Sequence, residues 1–464
     1  MGYASIFRAF GMTLLLLGGA MLLPYILALL TSEGEADAYL FGALVTIIAG
    51  GGSYVASMGG RGVPGDLRAA IVVILLWWCI GPAFAAIPFF FAMGSFADAY
   101  FEAVSAITTT GGWLSNEGAI ENKPGILWRG LLQWLGGLSS LAIAAAIFVR
   151  PAFIGIDTLL PPFSRGDRAS YLRAIQNAVT AFFSVYLLLT VTSCISQMLS
   201  GAPVLDAVVI SMSAVASGGF VPNSEGLAAY PFIVTGVLFP FLILGGANFV
   251  LITRIMQGQA KRNRDVETRV YLLAVLIVGV VYWIGADAGD IDLIPAQIFN
   301  AASLFSTNGI LVGELPTLPL ALITVVIGGS AVSTAGGFKI LRWLVIIRRS
   351  REEIRRLITP NGVFGKSNIA NEFGVWIHFL GITIILGAMT LLITLDGHSF
   401  DLAVTAASAI FSNAGPVISI VDGAQSGYEV FSEPLRWLLC LGMILGRLEA
   451  VVALAIFNQA FWRS

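Results

Sequence analysis

Long apolar runs separated by short polar segments dominate the chain. Ten stretches contain no charged residue: 9–32, 38–60, 69–97, 130–149, 174–205, 226–253, 270–286, 315–338, 373–395 and 437–446. Most reach the ~17–25 residues that a membrane-spanning helix needs. The last run is short, but its apolar character continues past Arg447 to about Phe461. The pattern predicts ten spans. The first run is too long for a signal peptide and lacks a small-residue cleavage site, so it is interpreted as a span.

A second pattern recurs between the spans. Four segments share it: GSFADAYFEAVSAITTTGGWLS (94–115), GAPVLDAVVISMSAVASGGFV (201–221), IPAQIFNAASLFSTNGILV (294–312) and GHSFDLAVTAASAIFSNAGPV (397–417). Each starts at a polar residue or Pro, continues as a short apolar helix with small residues, and breaks into Thr, Ser or Asn with Gly. A helix of about three turns covers ~15–18 Å, half of the membrane. The chain must therefore return to the outer face.

The predicted fold class is an all-α integral membrane protein. Four span–pore-helix–span repeats surround one central pore, and two extra transmembrane helices precede them. The predicted units are 1–68 (the extra helices), 69–150 (repeat 1), 151–260 (repeat 2), 261–365 (repeat 3, with a broken second span and a basic cytoplasmic helix) and 366–464 (repeat 4).

The Gly-bearing breaks suit an ion filter. Irregular backbone at membrane depth is stable only where protein or a water-filled cavity shields it. Four loops around an axis can direct their carbonyls inward, where a dehydrated cation is their partner. Glycine admits the positive φ that this geometry requires, and the C-terminal dipole ends of four short helices add negative potential. TTTGG alone is as compatible with an extracellular turn, but four related segments in matching positions favour pore lining.

Composition supports a membrane protein and argues against other classes. The chain is 57% hydrophobic and 11% charged, against roughly 25% charged residues in soluble proteins. No polar stretch is long enough for a nucleotide-binding domain. Cys79, Cys194 and Cys440 lie in apolar runs without disulfide or metal spacing, and His378 and His398 form no metal pair. We expect no enzymatic activity, no tightly bound cofactor and no nucleic-acid partner.

Charge distribution predicts the orientation. With the N-terminus inside, most of the 25 basic residues fall in inner loops, as the positive-inside rule requires. Ten spans then place both termini in the cytoplasm.

Several stretches resemble a known family: LLQWLGGLSSLAIAAAIF (131–148), GGSAVSTAGGFKILR (328–342) followed by RRSREEIRRLITPNG, SNAGP (412–416) and GRLEAVVALAIFNQAFWRS at the end. Together they are similar to the Trk/Ktr/HKT superfamily of potassium-uptake proteins, and most similar to its Trk-type bacterial membrane subunit. The resemblance covers essentially the whole chain. It implies a K⁺-translocating subunit of the bacterial inner membrane that forms homodimers and works with a cytosolic nucleotide-binding regulatory subunit.

The resemblance also assigns filter residues. It implies filter glycines at Gly111, Gly219, Gly309 and Gly415, with glycine at all four favouring K⁺ over Na⁺. Ion-facing carbonyls are expected from these glycines and their predecessors: Thr109, Thr110, Ser217, Gly218, Thr307, Asn308, Asn413 and Ala414. The filter carbonyls alone would bind the metal ion, which is K⁺. Rb⁺ would bind in the same way, and Na⁺ less well. In the first three loops a serine precedes the glycine by six residues, whereas Ser408 precedes Gly415 by seven, which predicts one inserted residue in the fourth loop.

The run Leu315–Ser350 is too long for one straight span. We expect a broken helix whose small-residue centre lies across the pore as a gate, since Gly and Ser change shape at low cost; the family places a gating loop here. The alternative is a tight helix contact through small residues. The gate prediction comprises Gly328, Gly329, Ser330, Ala331, Ser333, Thr334, Gly336, Gly337, Lys339 and Arg447.

Arg447 lies within an apolar helix, where a charge normally faces a cavity or a partner. It either forms an ion pair with another helix, since Glu449 is on a different helix face, or projects into the pore and repels cations. The stretch 346–362 is interpreted as a basic helix, either a cytoplasmic anchor or a docking site for the regulatory subunit. Five outer acids either concentrate cations or are ordinary helix-start and loop charges: Glu102, Glu117, Asp206, Glu314 and Asp401.

Two functions remain open. The first is gated K⁺ uptake through a pore. The second is an H⁺- or Na⁺-coupled secondary K⁺ transporter, a class that typically uses inverted repeats and buried carboxylates. All four loops enter from the outside and carboxylates are nearly absent from the spans, so the pore is favoured.

Overall fold

Helices make up the regular structure of the described chain. The computed structural model describes residues 3–33, 35–59, 67–114, 122–148, 171–258, 265–286, 291–359, 369–422 and 427–448, and all regular elements in these ranges are helical. Glu117, Glu449, Pro360 and the predicted unit boundaries at 150, 260 and 365 lie outside these ranges. Within these ranges, six helices are long and apolar enough to cross a membrane, and a bent pair would form a seventh. The all-α membrane fold class is confirmed.

The two extra helices form a hairpin at the N-terminus. Helix α1 (Tyr3–Thr31) lies against α2 (Ala36–Ala56). A Cβ atom added to Gly11 would lie 2.7 Å from the carbonyl oxygen of Gly50, so the two backbones touch. Small residues permit this approach in a membrane, where helices associate through van der Waals contact.

Four repeats follow, each with a first span, a short helix and a second span. Repeat 1 consists of α3 (Leu67–Cys79), α4 (Gly81–Ala85), α5 (Ile87–Met93), the short α6 (Phe96–Ile107) and α7 (Lys123–Phe148). Repeat 2 consists of α8 (Tyr171–Leu199), the short α9 (Val204–Ala216), α10 (Phe232–Gly246) and α11 (Phe249–Met256). Repeat 3 consists of α12 (Val266–Gly285), the short α13 (Ile294–Phe305), α14 (Leu318–Ile327) and α15 (Ile340–Ile358). Repeat 4 consists of α16 (Ile369–Leu395), the short α17 (Phe400–Phe411), α18 (Ser419–Asp422) and α19 (Glu433–Leu448).

The short helices are the most deeply buried elements. Their last two turns consist mainly of buried Ala, Ser and aliphatic residues, and small side chains let neighbouring helices approach closely. Two of them start at a serine cap: Ser95 Oγ accepts from the N–H of Asp98, and Ser399 Oγ from that of Leu402. The long helices instead expose apolar side chains outward. The centre of the molecule therefore consists of small side chains, and its periphery presents the apolar surface that lipid requires.

Two second spans are broken. Helices α10 and α11 meet at an angle of 106°, across Ala247 and Asn248. Between α14 and α15, residues 328–339 are not helical. The broken helix predicted for Leu315–Ser350 is therefore present, and the tight-helix alternative is wrong. The basic helix predicted for 346–362 already begins at Ile340 and ends at Ile358.

Candidate functional site

Four buried loops follow the C-termini of the short helices. We define loop 1 as residues 108–114, loop 2 as 217–221, loop 3 as 306–312 and loop 4 as 412–418. Each loop has at its first or second position a polar residue without solvent exposure: Thr109, Ser217, Thr307 and Asn413. Each loop begins where a helix dipole presents its negative end, so the local potential favours a cation.

The four loops share one backbone template. The residues just named all have φ between 54° and 57°, a left-handed conformation that costs an L-residue roughly 1–2 kcal/mol. Two residues later, Gly111, Gly219 and Gly309 have φ of 71–72°. The residue between donates its N–H to a helix carbonyl five residues earlier: Thr110 to Ser105, Gly218 to Ser213, Asn308 to Ser303 and Ala414 to Ala409, at 2.8–2.9 Å. Strained backbone persists only where the surrounding structure holds it in place, and here the neighbouring loops hold one another.

The inserted residue predicted for loop 4 is absent. The carbonyl that anchors this loop belongs to Ala409, so Gly415 follows its anchor by six residues, as Gly111 follows Ser105. The spacing from Ser408 predicted the wrong alignment of loop 4 with the other loops, because a backbone carbonyl, and not a serine side chain, anchors each loop. Loop 4 does differ at Gly415, which opens a 3-10 turn (Gly415–Ile418) and lacks the positive φ of the other three glycines.

The loops close into a ring. A Cβ atom on each glycine would meet the next loop: Gly111 the oxygen of Gly218 at 1.9 Å, Gly219 the oxygen of Asn308 at 1.8 Å, Gly309 the side chain of Val417 at 3.2 Å, and Gly415 the nitrogen of Gly112 at 2.3 Å. Loop 1 therefore touches loop 2, loop 2 touches loop 3, loop 3 touches loop 4, and loop 4 touches loop 1. At three of the four contacts there is no room for a side chain.

Four of the carbonyls expected to face an ion also have protein partners. The oxygen of Gly218 accepts from Gln133 Nε2 at 3.0 Å, and the oxygen of Thr110 accepts from the N–H of Gly415 at 2.6 Å. In loop 4, the oxygen of Gly415 accepts from the hydroxyl of Tyr428 at 2.9 Å, and that of Ala414 accepts from the N–H of Val417 at 3.1 Å. A carbonyl has two lone pairs, so each keeps one for a further partner. Gln133 is fully buried and was missed from the sequence, although a lone amide inside the run 130–149 was a visible signal.

Behind loop 1 lies a buried ion pair. Glu102 Oε2 accepts from Arg129 Nη2, while Glu102 Oε1 accepts from the N–H of Leu114 at 2.7 Å. The Arg129 guanidinium lies 4.6 Å from the ring centroid of Phe220 in loop 2. Glu102 has no solvent exposure and its charge is paired with Arg129, so of the two alternatives for the outer acids, the concentration of cations does not apply to it.

Repeat 3 holds its loop in a similar way without a charge. Asn300 Oδ1 accepts from the N–H of Val312 at 2.9 Å, and Val312 follows Gly309 by three residues, as Leu114 follows Gly111. The other outer acids differ. Asp206 accepts from the hydroxyl of Tyr230 at 2.9 Å, and Glu314 and Asp401 are exposed.

The 328–339 loop lies against the ring on the side where the short helices end. Thr334 Oγ1 is 2.7 Å from Ser217 Oγ, and the N–H of Gly336 donates to Thr307 Oγ1 at 2.7 Å. A Cβ on Gly336 would lie 1.9 Å from the oxygen of Ser412. The loop thus contacts loops 2, 3 and 4 directly.

Arg447 completes the contact with loop 1. Its Nε donates to the oxygen of Thr108, and its Nη1 donates to the oxygen of Thr334 at 2.8 Å. It forms no salt bridge within the described ranges, which removes the helix ion-pair alternative there. A cavity of about 30 Å³ lies beside it, lined by the 328–339 loop, including Lys339, whose Nζ donates to the oxygen of Ala335.

The other residues of the predicted gate stabilise the shape of this loop. Gly328 and Gly337 have φ of 71° and 73°, and Lys339 has 78°. Backbone and side-chain bonds fold the loop on itself: the N–H of Ile340 donates to the oxygen of Gly329, and Ser333 Oγ donates to that of Ser330. The N–H of Ala331 donates to the carboxylate of Glu267 in α12, at 2.5 Å.

Known proteins share this whole architecture. The family model described as "TrkH: Cation transport protein" matches residues 71–285 and 296–463. The chain belongs to the TrkH family. A curated TrkH-family relative, the Trk system potassium uptake protein TrkH of Salmonella typhimurium, is 27% identical with full coverage of both chains. TrkI of Halomonas elongata is 28% identical over 99% of this chain and 97% of its own.

A solved TrkH-family structure shows the same fold. The crystal structure of the potassium transporter TrkH from Vibrio parahaemolyticus aligns with a TM-score of 0.86 and 24% identity, covering 100% of both chains. The TrkH-family resemblance expected from the sequence motifs is confirmed. The motifs did not reveal Gln133, Arg129 or Glu267, because each of these residues acts through a partner distant in sequence.

Proposed function

We propose that this protein takes up K⁺ across the cytoplasmic membrane through a filter formed by loops 1–4. The observation that carries the proposal is the closed ring of four loops with one shared backbone template. Three of its glycines leave no room for a Cβ, because backbone meets backbone between neighbouring loops, and this close approach supports a ring lined by backbone. Carbonyl oxygens in such a ring replace the hydration shell of a cation. The curated relatives, named potassium uptake proteins, support K⁺ as the ion.

The proposed gate is the 328–339 loop together with Arg447. This pair touches all four filter loops from the side of the short helices' C-termini. A K⁺ ion leaving the ring on that side meets a folded segment and a guanidinium cation. Both must be displaced before ions pass, since a positive charge in a narrow path raises the barrier for a cation.

The remaining parts of the proposal concern the assembly. We place both termini in the cytoplasm of a bacterial inner membrane, on the basis of the Lys and Arg distribution. A cytosolic nucleotide-binding regulatory subunit and a homodimer are proposed from the Trk-type resemblance, and relatives named as parts of a Trk system fit this view. The basic helix α15 is the proposed docking site. No tightly bound cofactor is required, because K⁺ is the cargo.

A coupled secondary transporter is the second candidate. It needs a buried carboxylate that exchanges protons or binds Na⁺ during the cycle. The described ranges contain two buried carboxylates. Glu102 is bound to Arg129 and to the N–H of Leu114, and Glu267 to the N–H of Ala331 and to Asn248. Both carboxylates are engaged by protein partners that hold loops in place, so the pore is the better-supported function.

Single-channel recording of the purified protein in a planar bilayer separates the two candidates. A gated pore gives discrete K⁺ current steps whose reversal potential follows the K⁺ gradient alone. A coupled transporter gives no resolvable steps, and its Rb⁺ flux into proteoliposomes responds to an imposed pH or Na⁺ gradient. That second result would overturn the pore mechanism.

A further inference from the structure

The 328–339 loop is bound to the bend between α10 and α11 in repeat 2. The N–H of Ser330 donates to the oxygen of Gly246 at 2.9 Å, and Thr334 Oγ1 donates to the oxygen of Gly245 at 2.9 Å. In return, the N–H of Phe249 donates to the oxygen of Val332 at 2.8 Å. The 106° bend frees these backbone groups from helical hydrogen bonds. The loop is therefore held by a neighbouring repeat as well as by the ring.

A side-chain contact reinforces this binding. Glu267, near the start of α12, is 2% exposed, and its Oε1 accepts from the N–H of Ala331 at 2.5 Å. Its Oε2 accepts from Asn248 Nδ2 at 3.2 Å, while Asn248 Oδ1 accepts from the N–H of Val250 and so caps α11. One carboxylate thus joins the loop, the bend and the first span of repeat 3. Hydrogen bonds to a charged acceptor are about twice as strong as neutral ones.

We propose that Glu267 and Asn248 form a latch that holds the 328–339 loop in the position seen here, under the ring. The proposal rests on the proposed function, because it assumes that the loop is the gate. Glu267 is a positioning residue: it touches the loop at Ala331 and lies outside the ring itself. When the latch is closed, the loop stays against loops 2–4; when the carboxylate loses its partners, the loop leaves more often and ions pass.

The geometry permits a swap experiment. In Asn248→Asp, two carboxylates face each other, the bond between them is lost, and Glu267 is pushed from Ala331. In the double variant Asn248→Asp with Glu267→Gln, the Gln amide nitrogen donates to Asp and its oxygen accepts from Ala331. The bond between the two side chains is then restored with donor and acceptor exchanged, the bonds from the N–H groups of Ala331 and Val250 keep their direction, and the net charge of the pair is unchanged.

We expect basal Rb⁺ uptake into proteoliposomes to rise about tenfold or more in Asn248→Asp, since a charge-assisted bond is lost, and to return to within about threefold of wild type in the double variant. The matched control is Asp265→Asn, which removes a carboxylate from the same helix start; its contact is with the hydroxyl of Thr268 and not with the loop. Its uptake should equal that of wild type.

Provided that the wild-type protein carries K⁺ currents, any of three results would overturn the latch while leaving the pore intact. Basal Rb⁺ uptake in Asn248→Asp could equal that of wild type, uptake in the double variant could stay at the level of Asn248→Asp, or uptake in Asp265→Asn could rise as much as in Asn248→Asp. Current ratios for K⁺ and Na⁺ provide a second readout, because a latch changes the open fraction and leaves the ring's selectivity untouched. Failure of the proposed function is distinguishable, since the wild-type protein itself would then carry no K⁺ current.

Discussion

At the scale of single residues, four left-handed positions and three glycines shape the ring. Thr109, Ser217, Thr307 and Asn413 each carry the strain of a positive φ. A positive φ at these positions takes the backbone out of helical geometry directly after each short helix. Gly112 adds a close contact behind the ring: a Cβ there would lie 2.7 Å from the ring of Tyr428, whose hydroxyl donates to the oxygen of Gly415.

Gly111→Ser should reduce discrimination between K⁺ and Na⁺. The new Cβ would lie 1.9 Å from the oxygen of Gly218 at a φ of 72°, so loops 1 and 2 must separate and the ring widens. Rb⁺ uptake in the presence of competing Na⁺ measures the effect. Gly226→Ser is the matched control, because it has a φ of 62° and nothing within 4 Å of a new Cβ. Equal Na⁺ competition in both variants would remove Gly111 from the filter.

Arg447→Ala should raise basal K⁺ flux. The substitution removes a cation from the path below the ring, together with its bonds to Thr108 and Thr334. Arg447→Lys keeps the charge and should stay near the wild-type flux. Single-channel open probability at equal protein density is the measurement, and an unchanged or lower flux in the Ala variant would contradict the gate.

At the scale of elements, broken helices and buried braces place the loops. The second spans of repeats 2 and 3 both interrupt their helices, and other protein groups satisfy the freed backbone, as a break within a membrane requires. The Glu102–Arg129 pair joins the short helix α6 to the second span α7 and leans on Phe220 of the next loop. The ion pair thus links the position of loop 1 to that of loop 2 in the next repeat.

Arg129→Met should destabilise the protein by about 3–5 kcal/mol, because it leaves the buried carboxylate of Glu102 without its partner. Adding Glu102→Gln should recover most of the loss, since the amide oxygen still accepts from Leu114. Thermal unfolding of the purified protein in detergent measures both. A control is Lys123→Met, whose partner Glu33 is exposed and whose loss should cost less than about 1 kcal/mol. Similar melting temperatures for Arg129→Met and Lys123→Met would contradict the brace.

At the scale of the whole molecule, one ring draws on all four repeats, so the proposed function couples ion binding to the stability of the fold. An ion that binds the native state alone stabilises it by mass action, by about 2.7 kcal/mol at a hundred times its Kd. K⁺ should therefore raise the melting temperature of the protein relative to N-methylglucamine at equal ionic strength. The increase should be smaller in Gly111→Ser. No difference between the cations in the wild-type protein would contradict ion binding by the ring.

Much of the fold followed from local sequence features. All ten charge-free runs contain helix, the four short helices lie where the recurring segments placed them, and the break in Leu315–Ser350 is present. These features depend on hydrophobicity and on Gly and Pro positions, which a sequence displays directly. The inserted residue expected in loop 4 is absent, and the ion pair of Glu102 with Arg129 was not foreseen, because both depend on the position of a partner.

The sequence by itself determined that this is a membrane protein of four repeats with four Gly-bearing loops, because lipid imposes apolar length and composition on every span. Only the tertiary structure decided the order of loops around the ring, the common carbonyl anchor at Ser105, Ser213, Ser303 and Ala409, and the binding of the 328–339 loop to the repeat 2 bend. Backbone carbonyls make most of these contacts. Every residue has one, so no side-chain pattern reveals which of them meet.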